Sequence, residues 1–488
     1  MTSYAPNHNR NVSIGSDYKM SEEAQGHQGH FSDPEKQSAD LRRGDLSRPA
    51  PQYTRRRSSF YDKMDDPFDD EADSDVKYRT MHWWQASMIM IAETVSLGIL
   101  SLPSVLATVG IVPGVIMIIG LGVIATYTGY TIWQFRMAYP HVVNIADAGE
   151  VIMGRFGREV FGAGLVILLV FTAGSHILVF TIALNTITQH VTCTIVWAVV
   201  ALVLFFLCTL PRTLKKVSYL SIGAFISISS ACIITMVGVG IERPDPVVQT
   251  TVQGVEFATA FVSVTNIVFA YLGHAAFFSF ISELKKPEDF PKALFVLQGF
   301  DTVFYVVVAV VVYRYAGPDV SSPALGSTAE TVKRVAYGIA LPTIIVAGVI
   351  YIHVAAKYVY VRLFRGTKHM GSNSFKSLGT WVAIVATMWL IAFIIAESIP
   401  DFNDLLSLIS ALFASWFTYG FSGVFWLYIN YGQWGANGRK IFLTAVNFSI
   451  IALGVAVCGI GLYASGKAIH DGSGSGSWSC ADNSKGSA

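Results

Sequence analysis

The chain has 488 residues, of which 52% are hydrophobic and 14% charged, with a net charge of +1 at pH 7. Soluble domains carry about 25% charged residues, so a soluble globular protein is excluded, and the near-neutral balance offers nothing to nucleic acid. The five cysteines show no metal-ligand spacing, so neither a metal nor a cofactor is expected.

In chain order, residues 1–80 come first. They are rich in Ser, Asp, Arg, Gln and Pro and cannot bury enough apolar surface to fold alone. A disordered cytoplasmic N-terminal tail is expected there. Its "RRRSSF" string makes Ser58 and Ser59 phosphorylation candidates; a tail that is merely solvated is the alternative. No basic start followed by an apolar run is present, so no cleaved signal peptide is expected.

Beyond residue 80 the apolar residues fall in long runs, and runs of about 18 or more residues are long enough to cross a bilayer. Eleven helices are predicted, at 86–109, 112–137, 161–190, 193–210, 217–240, 256–284, 292–316, 330–362, 378–398, 404–431 and 440–465. The predicted class is an all-α polytopic membrane protein. Its parts are an eleven-helix domain over 81–465 and a flexible, Gly/Ser-rich extracellular tail over 466–488. With the N-terminus inside, the inner links hold most of the basic residues, among them Arg155, Arg158, Arg212, Lys285, Lys286, Lys292 and Arg439. That asymmetry follows the positive-inside rule. An odd helix count then puts the C-terminus outside, and Cys193 and Cys480 share that oxidising side. A disulfide and two unpaired thiols are both compatible with this placement.

Two of the helices contain a weak point. The first carries "VSLGILSLP" around Leu97-Gly98, and the sixth carries "VFAYLGHAAF" around Leu272-Gly273. Glycine lowers helix propensity by about 1 kcal/mol, and Pro103 adds a missing donor. Backbone freed within a membrane is tolerated only where it lines a protein cavity. Either glycine alone is explained by helix packing. Paired breaks at equivalent positions of two five-helix halves are the signature of inverted-repeat transporters with a midplane site. A broken helix offers N–H groups to a carboxylate at one end and C=O groups to an ammonium at the other, and an α-amino acid has both.

"SLGILSLPSVLATVG" resembles the first-helix motif of the amino acid/auxin permease family, Gly-x-Gly-Ile-Leu-x-Leu-Pro, with Ser96 in place of the first glycine. "NIADAGEVIMGRFGR" resembles that family's cytoplasmic link after helix two. The "AETVSLGILSLPS" version is similar to fungal neutral amino acid permeases. The resemblance covers residues from about 80 to 465. It implies a leucine-transporter-like 5+5 inverted repeat with discontinuous helices 1 and 6 plus an eleventh helix, and proton-linked uptake at the plasma membrane. It further implies that Ser96, Leu97, Gly98 and Ile99 meet the substrate carboxylate. Phe269, Ala270, Tyr271 and Gly273 would meet the ammonium through carbonyls, with Phe269 or Tyr271 as an aromatic lid on the outer side.

Uphill import requires a coupling ion. In this fold a sodium site draws on hydroxyls of the inner half of helix eight, and residues 347–364 contain no Ser or Thr; hard cations want oxygen ligands. For a proton, Glu93 is the first candidate, because ionisable residues inside a membrane mark functional sites by default; a structural brace is the alternative. His274 follows the sixth-helix break directly, and histidine as a residue type titrates near physiological pH; a satisfied packing residue is the alternative. Lys357 offers a fixed charge or simply snorkels to the interface. The expected function is import of neutral, aliphatic and aromatic L-amino acids with protons. A sensor or transceptor and a sodium-coupled symporter are the alternatives, and no nucleophile–base spacing suggests an enzyme. The oligomeric state is open.

Overall fold

The computed structural model describes residues 79, 81–212, 217–242, 248–364, 374–472 and 476–484. Ser58 and Ser59 lie outside the described residues. The described chain is helical apart from one isolated bridge between Met81 and Leu284.

Among the described residues nine helices are long and apolar enough to cross a membrane. A bent pair, Trp83–Thr94 and Gly98–Val109, meets the same test together at a 43° bend. The sixteen-residue Thr194–Thr209 is apolar but shorter. These segments coincide with the eleven predicted spans. In order they are α1 (Trp83–Thr94) with α2 (Leu102–Val109), α3 (Ile111–Ala138), α4 (Ile145–Thr188), α5 (Thr194–Thr209) and α6 (Val217–Glu242). The second half runs α7 (Phe257–Ala270) with α8 (His274–Glu283), α9 (Phe290–Ala316), α10 (Glu330–Phe364) and α11 (Phe375–Ser398). Span ten is α12 (Phe402–Ile409), a π-helical stretch Ser410–Gly420 and α13 (Phe421–Ile429), and α14 (Gly438–Gly472) follows.

Equivalent spans of the two halves pack on one another. α3 contacts α9, α4 contacts α10, and α5 contacts α11. The two broken spans touch through α2 and α7. The fold is the leucine-transporter-like inverted repeat with discontinuous first and sixth spans.

Two segments differ from expectation. The stretch after span two is not a plain link: α4 begins at Ile145, capped by Asn144 Oδ1 accepting from Asp147 N at 3.0 Å. It turns at Gly154 (φ 66°, ψ −151°), a left-handed position suited to glycine. Gly149 and Gly157 then let the two arms close, since a Cβ at Gly157 would collide with Gly149 O. A segment rich in charge and glycine conceals an amphipathic helix of this kind.

The C-terminal segment also departs from a flexible tail. Helix α14 runs on to Gly472, and residues 476–484 dock on the ends of α4, α5 and α11. Cys480 is disulfide-bonded to Cys193 across 287 residues of sequence. Asn483 Nδ2 donates to Thr181 Oγ1 at 2.8 Å, Asn185 Nδ2 donates to Asn483 Oδ1 at 2.8 Å, and the Trp478 ring packs on Phe393. Serine and glycine near the end suggested mobility, but one cysteine and one asparagine supply the anchors. We predict that Cys480→Ser frees this strap, with rapid amide exchange over 476–484 and a loss of about 2–5 kcal/mol of stability, as for removal of other native disulfides. Unchanged exchange protection there would contradict the anchoring role.

Candidate functional site

The helices break where propensity is weakest. Helix α1 ends at Thr94, and Val95 (φ −77°, ψ 74°) leaves the helical region. The chain resumes as a 3-10 turn at Gly98–Ser101, and Pro103 sits in the first turn of α2, where its missing donor costs nothing. In span six, α7 ends at Ala270, and Tyr271, Leu272 and Gly273 form the break before α8.

The two breaks interlock through their glycines. A Cβ on Gly98 would lie 2.6 Å from Ala270 Cα, and one on Gly273 would lie 2.9 Å from Thr94 Cγ2. Each glycine thus admits the opposite break. Packing and an opened backbone, which the sequence offered as competing explanations, coincide at Gly98.

Beside the crossing lies a cavity of about 780 Å³. Of the residues expected to bind substrate, Ser96, Leu97, Gly98, Phe269 and Gly273 line it. Ser96 Oγ is buried without a hydrogen-bond partner among the described residues. No backbone carbonyl among them accepts from the N–H of Leu97 or Gly98. These groups sit at the N-terminal end of the half-helix leading into α2, where the helix dipole favours an anion. Leu165, Leu168, Leu169, Ile350, Leu272 and Phe280 make much of the remaining wall apolar.

Three expected contacts lie elsewhere in this structure. Ile99 is fully buried in the core. The carbonyl of Ala270 accepts from Tyr305 OH at 2.8 Å, away from the cavity wall. Tyr271 is 1% exposed, and its OH donates to Ile118 O at 3.0 Å and lies 3.1 Å from Thr302 Oγ1. Its ring is wedged between α3 and α9, so Tyr271 is no lid here; Phe269 is the aromatic residue of this break that reaches the cavity. A break interrupts helical periodicity, and side-chain direction across it cannot be read from spacing.

The expected coupling residues separate likewise. Glu93 and Lys357 line the cavity. Lys357 lies within electrostatic reach of Glu283, which also lines the cavity. His274 faces the other way: its Nε2 lies 2.9 Å from Ala125 O and 3.0 Å from Thr128 Oγ1. An Nε2 held against a carbonyl must carry the proton, so His274 braces span six against α3.

Reasoning from the sequence missed one group altogether. Asp301, midway along α9, is fully buried, and Thr94 Oγ1 donates to its Oδ2 at 2.7 Å. The signal was present in "VLQGFDTVFYVVV", a lone carboxylate in an apolar run, which the rule applied to Glu93 covers equally.

A leucine-transporter-like fold with two discontinuous spans meeting beside a cavity defines a membrane transporter. The fold matches a crystal structure of MhsT in complex with L-phenylalanine, with a TM-score of 0.52 at 12% identity, covering 79% of this chain and 100% of that one. The family described as "Transmembrane amino acid transporter protein" matches residues 79–466, and the chain belongs to it. It is 36% identical over 406 residues to the N amino acid transport system protein of Neurospora crassa, covering 81% of this chain and 86% of the relative. It is 31% identical to a transmembrane transporter of Gibberella moniliformis, covering 84% and 89%.

Proposed function

We propose that the protein is a plasma-membrane symporter that imports neutral amino acids, aliphatic and aromatic, together with protons by alternating access. The observation that carries this reading is the pairing of Ser96 Oγ and the Leu97 and Gly98 amides with an apolar chamber of about 780 Å³. The polar cradle suits a carboxylate. The chamber falls within the roughly 300–1,000 Å³ typical of small-molecule sites, and its apolar wall suits an uncharged side chain. The ammonium would face carbonyls of the span-six break near Phe269 and Gly273, with Glu93 close by.

Sodium coupling is disfavoured by residues 347–364, which have no hydroxyl of Ser or Thr to offer. Of the two carboxylates on the cavity wall, Glu93 exchanges protons with water in the chamber, and Lys357 balances Glu283. The cavity extends from the breaks towards Met81, Asn144, Arg212, Glu283 and Lys357, whereas α2 and α7 close together on the other side. With the N-terminus cytoplasmic, this is an inward-facing state. The preceding residues 1–80 are a cytoplasmic regulatory tail bearing Ser58 and Ser59.

A competition panel against labelled uptake, run at two pH values with and without sodium, tests the reading. Neutral aliphatic and aromatic amino acids are expected to compete, with uptake rising at acidic external pH and indifferent to sodium. Competition by cationic or acidic amino acids alone would contradict the neutral assignment. Binding without accumulation would favour the sensor. For the inward-facing assignment, Ser279→Cys, whose parent side chain lines the cavity, is expected to react with membrane-permeant thiol reagents and to resist impermeant ones added outside. Equal labelling by both would contradict it.

A further inference from the structure

Span seven holds both breaks at once. Tyr305 OH on α9 lies 3.1 Å from Thr94 O, the last carbonyl of α1, and 2.8 Å from Ala270 O, the last carbonyl of α7. Thr302, one turn before it, meets Tyr271 OH in the span-six break. Asp301 lies beside them, bonded to Thr94 Oγ1 through Oδ2, while its Oδ1 is buried with no hydrogen-bond partner among the described residues. Thr94 itself lines the cavity on its other side and touches Gly273 through Cγ2. One hydroxyl therefore separates the chamber from a buried carboxylate that no cation balances among the described residues.

Burying an ionised carboxylate unpaired is costly, and such groups neutralise by taking a proton. The ionisable groups near Asp301 are Tyr305 on α9 and Tyr271 in the span-six break; α1 brings Thr94 and, one residue before it, Glu93 on the cavity wall. No ion pair reaches Asp301 from α2, α3 or α6 among the described residues.

We propose that Asp301 is a proton-binding site whose occupancy is transmitted through Thr94 to both helix breaks, coupling protonation to the opening of the amino acid site. The inference rests on the proton-symport reading and names where the proton acts. When Asp301 is ionised, the Thr94 hydroxyl donates to Oδ2. When a proton enters from water in the chamber it binds Oδ2, and the new O–H donates to Thr94 Oγ1. The Thr94 proton then turns to Met90 O, 3.0 Å away. The proton returns to chamber water when the direction reverses. Each state satisfies every hydrogen in the relay, and the change falls at the last residue of α1, where Tyr305 also ties α7.

The test uses the full chain in proteoliposomes, with labelled phenylalanine. Accumulation is measured under an inward proton gradient, and exchange is measured at equal pH across a pH series. The wild type is expected to accumulate substrate and to show pH-dependent exchange. D301N is expected to lose accumulation and to exchange at a rate flat with pH, with D301E restoring part of the pH dependence. Thr94→Val, similar in shape but without the hydroxyl, is expected to shift the pH profile of the exchange that remains. Wild-type protein that does not respond to a proton gradient sinks the symport reading, and the Asp301 site with it. A D301N that accumulates like wild type overturns the Asp301 site alone, as does a pH dependence lost in Glu93→Gln and kept in D301N. Sodium-stimulated exchange that D301N abolishes would overturn the proton assignment in favour of a cation. Loss of exchange in D301N, D301E and Thr94→Val alike would also overturn it, since the residues would then only hold the break together.

Discussion

Gly98→Val is expected to abolish uptake while leaving folded protein in the membrane, and Gly98→Ala to lower uptake by about tenfold. The atom that a Cβ at residue 98 would meet first is the Ala270 Cα, at 2.6 Å. Backbone cannot rotate out of the way as a side chain can. Overpacking of this kind costs about 1–3 kcal/mol, and about 1.4 kcal/mol is a factor of ten in an equilibrium. The strain falls on the contact that brings the two breaks together, so substrate binding suffers before global folding does. Gly273→Ala is milder, because the group it meets is the methyl of Thr94 rather than backbone. Initial uptake rates, normalised to monodisperse protein in detergent, check the order Val, Ala at 98, then Ala at 273. Wild-type kinetics in Gly98→Ala would show that the breaks need not touch.

Glu93→Gln is expected to abolish pH-driven accumulation and to leave exchange partly intact. Glutamine preserves the shape of the cavity wall and removes the exchangeable proton. Glu93 lines the cavity, and among the described residues no hydrogen bond ties it to a neighbouring helix; Tyr351 of α10, within electrostatic reach on the same wall, is the group on which the structural-brace alternative rests. Accumulation against exchange in the same vesicles separates the two roles. A mutant with unchanged proton-driven accumulation would remove Glu93 from the coupling scheme, and loss of both activities together would return it to a structural role.

Much of this architecture was legible in the sequence because a bilayer imposes a simple code. Runs of apolar residues give the spans, and the glycine-containing weak points of spans one and six stood out as a pair. What stayed hidden depended on three-dimensional partners. The helix at the start of α4 was obscured by charge and by glycines whose role is to let Gly149 and Gly157 meet. The outward turn of Tyr271 onto Ile118 O could not be foreseen, since helical periodicity stops at the break. The direction of His274 was lost for the same reason. Asp301 was visible as a lone intramembrane carboxylate, but its importance comes from Thr94, which lies 207 positions away in sequence. The strap at the C-terminus was half visible: two cysteines assigned to one side of the membrane suggested a link, while the anchoring by Asn483 has no sequence signature.

Uphill amino acid import driven by protons is measured with purified protein in sealed vesicles that are alkaline inside. One pH unit is worth about 1.4 kcal/mol per proton, which supports an approximately tenfold concentration ratio at one proton per substrate. A labelled neutral amino acid is expected to accumulate several-fold above equilibrium, and a protonophore to collapse the gradient of substrate. Equilibration without accumulation, or accumulation indifferent to the protonophore, would contradict proton-driven import.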